Sequence, residues 1–338
     1  MNLERVRKKM AEREVDCLIV TDTYNFIYTI GEEVSGYMFI TQEEIDIVAP
    51  RFYLHDLEDY DVDYVFSRED YEKEFQKRAE KYSGKIRADT TSETLRETFD
   101  LEKTDMLNQM RTTKTTEEVR KIQEAREITD NALTSLREEL FDGLTEFEAV
   151  NRLNKYYCDR GVTEAFLTNK GQSLVQKNSL RPHRSPTQEE IREDDLVIVD
   201  TGARKDFYCS DVTRTYCESP SEEQIRLFEA VKQIQQEEIE MIEPGKPIKQ
   251  VKKRELEMVE EQGYNPNKHV LYYSHSLGIE VHESPSLTQD TKDEFEEGMV
   301  VTIEPGLHVK GLGGVRIEDT VVVTDKGAKR LSESPRKL

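Results

Sequence analysis

Long apolar runs are missing from this 338-residue chain. The longest reach four or five residues, such as LVIV at 196–199, whereas a membrane-spanning helix needs about 20. The opening stretch, MNLERVRKKMAEREVDCLIV, is basic, but no apolar run of roughly 7–15 residues follows it, so no secretory signal peptide is expected. Cysteine is scarce, and Cys17, Cys158, Cys209 and Cys217 show no CxxC spacing. Such thiols are expected to be free in a reducing cytoplasm and to form neither a disulfide framework nor a structural zinc site. Basic residues are outnumbered 48 to 70, for a net charge of −22. Nucleic acid and anionic membrane both select for basic patches, so neither is expected as a partner. The acidity fits a soluble surface or adaptation to high salt. Apolar residues make up only 36% of the chain, but a chain of this length still buries a sizeable core.

What is present divides near residue 104. Residues 1–104 alternate between helix and strand patterns, which predicts a small α/β domain. Residues 2–14 have helical periodicity, and DCLIVTD reads as a buried strand. YNFIYTIG, YMFITQEEIDIVAP and DVDYVFS read as further strands, and a helix is expected over 69–82. His55 reads as a surface residue. From 105 to 338 the texture changes. An amphipathic helix is expected over 115–140. Thr145 and Glu148 form a capping box that opens a second helix, ending near Gly161. Two more helices are expected over 220–242, capped by Ser219 with Glu222, and over 247–262, closed by Gly263.

Two segments in this second part share one plan. LVIVDTGARKDFYCSDVTRTYC (196–217) and MVVTIEPGLHVKGLGGVRIEDTVVVT (299–324) each begin with an apolar strand ending in an acid, Asp200 or Glu304. Each then has a glycine-containing turn and returns with a second acid, Asp211 or Glu318. A threonine follows each second acid within two residues. The parallel predicts two related halves facing one another. A buried, unpaired carboxylate is costly, and four of them converging would repel. Two divalent cations would resolve both problems, since they take oxygen ligands with an occasional imidazole. Imidazoles are available in HVLYYSHSLGIEVHESP (269–285), which holds His269, His275 and His282. The spacing of His275 and His282 does not fit a helical HExxH, so a single-zinc metalloprotease is disfavoured. A further histidine, His183, sits between prolines in RPHRSP and is expected in a loop.

The ordered motifs D-T-G-(x)5-Y-x-S-D-x-T-R-T, H-S-L-G-I-E-V-H-E, I-E-P-G and G-V-R-I-E-D-T resemble the metallopeptidase family of methionine aminopeptidases, prolidases and Xaa-Pro aminopeptidases. The resemblance runs from about residue 105 to the end and implies a pita-bread catalytic domain over 105–338, with a pseudo-twofold antiparallel sheet and flanking helices. Residues 1–104 resemble the amino-terminal domain of the creatinase, prolidase and Xaa-Pro aminopeptidase branch. The resemblance implies five metal ligands: Asp200, Asp211, His275, Glu304 and Glu318. Asp211 and Glu318 would bridge two cations, with manganese first and cobalt, zinc or iron as alternatives. Asp200 would complete one site, and His275 with Glu304 the other. A hydroxide shared by the cations would attack an Xaa-Pro bond, with Glu304 moving the proton. His282 and His183 match histidines that contact the substrate and the intermediate, and Arg316 would orient carboxylates. Tyr208 and His308 are candidates to line a proline pocket. A proline-containing peptide substrate, a homodimer and a cytoplasmic location complete the implied picture.

Several positions depart from the family pattern. Ser274 and Ser276 replace glycines that often flank the ligand histidine. Phe207 stands where a glycine commonly precedes Tyr208, and His308 where a tyrosine is frequent. Ser286 falls where prolidases often carry an arginine for the dipeptide's carboxylate, which weakens strict dipeptidase specificity. Two other readings stay open on sequence alone. One is hydrolysis of a small non-peptide amide, ectoine- or creatine-like, on the same scaffold; the other is a binding protein without catalysis.

Overall fold

The computed structural model describes the chain apart from residues 1, 54–56, 58–62, 68–70, 90–95, 98–100, 167–172, 182, 183 and 270–273. It divides into two compact units, Met1–Arg111 and Thr112–Leu338. The first is built on a six-stranded sheet in the order β4-β3-β2-β1-β5-β6: β1 Cys17–Val20, β2 Tyr37–Ile40, β3 Ile45–Pro50, β4 Asp63–Ser67, β5 Ile86–Ala88 and β6 Glu102–Lys103. Its helices are α1 (Leu3–Glu12), α2 (Thr23–Ile30), α3 (Tyr71–Ala79) and α4, whose range is Met106–Thr112. One expectation fails here, because YNFIYTIG is helical and forms most of α2. Asp22 caps the helix by accepting from the Asn25 N–H at 3.0 Å, and Gly31 ends it at φ 85°. Asn25 through Ile30 are all buried, so this helix lacks the polar face that would have marked its period.

The second unit begins with α5 (Thr116–Glu139) and α6 (Glu146–Cys158), each opened by a complete capping box, Thr115 with Glu118 and Thr145 with Glu148. Two further helices, α7 (Glu222–Met241) and α8 (Ile248–Glu261), follow the first hairpin segment. The cap of α7 is Ser221 with Gln224, two residues beyond the expected Ser219 and Glu222. Ser219 is committed elsewhere, its N–H donating to the Glu193 carbonyl at 2.8 Å.

The strands of this unit repeat one nested arrangement. In the first half β9 (Val197–Thr201) pairs antiparallel with β12 (Val212–Tyr216), while β10 (Ala203–Lys205) pairs with β11 (Tyr208–Cys209) between them. In the second half β15 (Val300–Ile303) pairs with β18 (Asp319–Thr324), while β16 (Gly306–Val309) pairs with β17 (Gly313–Arg316) between them. The two outer pairs extend into the sheets β12-β9-β8, with β8 at Leu174–Lys177, and β14-β13-β15-β18-β19, with β13 at Ser274–Ser276, β14 at Glu283–Leu287 and β19 at Gly327–Arg330. β10 also pairs with β7 (Thr163–Glu164). Gly202 makes the corner between β9 and β10 possible, since a Cβ there would collide with the Ser210 carbonyl oxygen.

Helices cover the two halves in matching fashion. Leu133, Leu136, Leu153 and Tyr157 pack on Val197, Val199 and Val212. Ile248 and Val251 pack on Val301, Ile303, Val321 and Val323. Every residue of β9 and of β12 is buried, which is why β9 opens as an apolar run, Val197–Val199, with no polar alternation.

Candidate metal centre

Five of the predicted residues come together where the two halves meet. Asp200 lies within β9, and Asp211 directly precedes β12. His275 is the middle residue of β13, Glu304 follows β15, and Glu318 occupies the break between β17 and β18. Strand alternation does not release the acids to solvent: Asp200, Asp211, Glu304 and Glu318 are 4, 3, 6 and 1% exposed. His275 Nε2 lies 3.6 Å from Asp211 Oδ2 and 3.4 Å from Glu304 Oε1. Three groups, each of three residues, hold their ligand atoms within 4.8 Å of one another: Asp200–Asp211–Glu318, His275–Glu304–Glu318 and Asp211–His275–His282.

The electrostatics of this cluster are unfavourable without a cation. Burial first, and then the neighbouring acids, holds Asp211 and Glu318 well above the usual carboxylate range. Burial also pushes Glu304 up to about 7, against the pull of Arg316. Asp211 Oδ1 and Glu318 Oε1 are buried and accept no hydrogen bond. Arg316 pairs with Asp200, and its other terminal nitrogen lies 3.7 Å from Glu304 Oε2. Burial, followed by the adjacent His282, pulls His275 down to about 3. Its Nδ1 faces the Ser276 carbonyl at 3.1 Å, so Nδ1–H donates there and Nε2 keeps a free lone pair. Four buried carboxylates, two of them with an orphaned oxygen, and one neutral imidazole form a donor set that fits divalent cations.

The two threonines of the repeated plan have matching tasks. Thr213 donates its hydroxyl to Glu318 Oε2 at 2.7 Å, and its carbonyl accepts the Glu318 N–H at 3.1 Å. Thr320 donates its hydroxyl to the Asp211 carbonyl at 2.9 Å. Each half thus holds the second acid of the other. The buried Arg214 reinforces this contact, donating to the Glu318 carbonyl at 2.6 Å and to Asp319 Oδ1 at 2.6 Å. Thr302 donates to Glu304 Oε1 at 3.0 Å and accepts the His275 N–H at 3.1 Å. Sequence reasoning did not single out Arg214 or Thr302.

The remaining predicted residues are distributed differently. His282 is exposed and stands edge-on to His275, with ring centroids 4.3 Å apart. Tyr208 is buried, and its hydroxyl donates to Glu118 Oε1 at 3.0 Å. His308 is buried with Nδ1 2.8 Å from the Ser179 carbonyl, and burial pulls it down to about 4. His183 lies outside the described residues, as does His55. Cys17, Cys158, Cys209 and Cys217 are free. Among the described residues, no helix is long and apolar enough to cross a membrane.

Residues 120–325 match the model of metallopeptidase family M24. The Xaa-Pro dipeptidase of Pyrococcus furiosus is 32% identical over 359 aligned residues, covering 99% of each chain. A solved prolidase from the same organism superposes with a TM-score of 0.84 at 30% identity, over 97% of this chain and 99% of that one. The recombinant prolidase from Thermococcus sibiricus superposes with a TM-score of 0.89 at 29% identity, over 100% of this chain and 99% of that one. The chain belongs to metallopeptidase family M24.

Proposed function

We propose that this chain is an exopeptidase that hydrolyses Xaa-Pro peptide bonds at a centre of two divalent cations. The observation that carries this reading is the overlap of two buried donor sets, Asp200–Asp211–Glu318 and His275–Glu304–Glu318. Asp200 would hold the first cation, His275 with Glu304 would hold the second, and Asp211 and Glu318 would serve both. The orphaned oxygens of Asp211 and Glu318 are the atoms that call for a cation. The 32% identical relative named Xaa-Pro dipeptidase supports the choice of substrate. Manganese is the proposed metal, a homodimer the proposed assembly and the cytoplasm the proposed location. Residues 1–104 are assigned as the creatinase- or prolidase-like domain that accompanies the catalytic domain, 105–338.

When bound, two such cations polarise a carbonyl and make water nucleophilic near neutral pH. The protein supplies the rest. Glu304 takes the proton of the attacking water and passes it to the proline nitrogen. His282, exposed beside His275, donates to the carbonyl oxygen as it gains charge, and His183 is assigned the matching task. Tyr208 and His308 are assigned to the wall around the proline ring. Arg316 keeps Asp200 and Glu304 turned inward. An Xaa-Pro bond has no N–H, so a site that grips the carbonyl and protonates the nitrogen loses nothing on it.

Ser286 favours a second reading of chain length. It is exposed on β14 opposite His275, where an arginine would have gripped a dipeptide's carboxylate. A serine tolerates a longer peptide. Manganese-loaded protein offered Ala-Pro and Ala-Pro-Ala, with a chelated control, separates the cases. Cleavage of the dipeptide alone defines a dipeptidase, and cleavage of the tripeptide defines an aminopeptidase. No metal-dependent cleavage of either overturns the proposal in favour of a small-amide hydrolase or a binding role.

A further inference from the structure

The strand β13 reads Ser274-His275-Ser276, and each serine hydroxyl touches a buried lysine. Ser274 Oγ accepts the backbone N–H of Glu304 at 3.2 Å and lies 3.5 Å from Lys252 Nζ. Lys252 comes from α8 and is buried between Glu238 of α7, at 3.0 Å, and Glu255, one turn further along α8. On the other side, Ser276 Oγ donates to the Val300 carbonyl at 3.1 Å and accepts from Lys114 Nζ at 3.0 Å. Lys114 also lies 3.1 Å from Glu283 Oε2. Glu283 directly follows His282, and its Oε1 accepts the N–H of Ile279 at 2.9 Å.

Buried ion clusters of this kind give little net stability over apolar residues of the same volume. What they do give is direction, because a charge-assisted bond is short and angle-dependent. Here the lysine contacts end on the two serines flanking His275 and on Glu283 beside His282, and Ser274 in turn accepts the peptide N–H of Glu304. The opposite side of the centre is built otherwise, with Arg316 on Asp200 and Thr213 on Glu318. We propose that Lys252 and Lys114 are positioning residues for the His275–Glu304 half of the centre, acting through Ser274 and Ser276. The inference rests on the two-cation reading above, and it predicts that the two cation positions respond differently to loss of these hydroxyls.

Calorimetric titration of metal-stripped protein with manganese reads both positions at once. The variants are Ser274→Ala, Ser276→Ala and the charge-neutral triple Lys252→Met with Glu238→Gln and Glu255→Gln. The serine variants keep each lysine beside its own carboxylates, so they are expected to fold even if the triple does not. Wild type takes up two ions. Each serine variant binds one ion with wild-type affinity and the other about 10- to 100-fold more weakly, as outer-shell partners of ligands generally do. The metal-free melting temperature stays close to that of wild type. Unchanged binding of both ions in all variants overturns the inference. Equal weakening of both ions together with a lowered melting temperature also overturns it, because the role would then be structural only. Wild type that fails to bind two ions overturns the two-cation reading first, and this inference with it.

Discussion

Replacing Glu304 by glutamine separates the stability of the fold from the capacity of its centre. In the metal-free protein Glu304 is raised from an ordinary 4.5 to about 7, chiefly by burial. The folded carboxyl therefore holds its proton more tightly than the unfolded one. The stability this contributes is fully present below pH 4.5 and is lost as pH rises through about 7. At about 1.4 kcal/mol for each pH unit, that interval corresponds to about 3 kcal/mol. The side chain is 6% exposed as a residue, so solvent screening removes little of this. Glutamine keeps the shape and can still accept the Thr302 hydroxyl, now at 3.0 Å, but it never ionises. Melting of chelated wild type and Glu304→Gln at pH 4.5, 6 and 8 is the assay. The variant should gain about 3 kcal/mol on wild type across that range, roughly 6–12 °C for a unit of this size. Manganese should offset most of that gain, since an ion at 100 times its dissociation constant adds about 2.7 kcal/mol to the protein that binds it. The variant should also lose Xaa-Pro turnover. A difference that is flat in pH, or that shrinks as pH rises, would refute the argument that burial raises this carboxyl.

Three further variants test the rest of the centre. His282→Ala should retain two manganese ions by elemental analysis while its kcat on Ala-Pro falls about 100-fold; loss of an ion would instead make His282 a ligand, which its position beside Asp211 and His275 permits. Thr213→Val removes the 2.7 Å bond to Glu318 and should weaken manganese binding about 10- to 100-fold, so wild-type affinity would exclude the threonine's role. Arg214→Met strips the buried Asp319 of its 2.6 Å partner and should cost about 3–5 kcal/mol in urea unfolding; a loss under about 1 kcal/mol would show that Arg330, 3.6 Å away, compensates.

The features of the fold that were legible in the sequence are those whose partners are near in the chain. The capping box of Thr145 with Glu148 needs only a residue three positions on, and it forms. The two misreadings have physical causes as well. YNFIYTIG carried its helix signals at its ends, in Asp22 and Gly31, while its interior is buried on every side and shows no period. The α7 cap had two serines to choose from, and the loser was already bonded to Glu193, a partner 26 residues away that local pattern does not show. The repeated hairpin plan survived because its two copies could be compared with one another, and the nested pairings of β9–β12 and β15–β18 repeat it strand for strand.

The centre was legible for a different reason: acids in apolar strands are costly, and the cost identifies them. The residues that support it were harder to see because each acts across a long interval of chain, Thr213 on Glu318, Arg214 on Asp319 and Lys114 on Ser276. Even so, the same reasoning from cost reaches some of them. On α8 the buried positions are Ile248, Val251, Lys252, Glu255, Met258 and Val259, a stripe at helical spacing with two charges inside it. On α7 the stripe of Leu227, Phe228, Val231, Ile234 and Gln235 ends in the buried Glu238. A charge on an apolar stripe asks for a partner just as an acid at the end of an apolar strand asks for a cation. Lysine and glutamate on two neighbouring stripes are each other's answer, and Lys252 pairs with both Glu238 and Glu255. What periodicity leaves out is the third contact, from Lys252 to Ser274, because it depends on how α8 sits on β13. That contact joins the helical ion cluster to the ligand strand, and only the assembled fold reveals it.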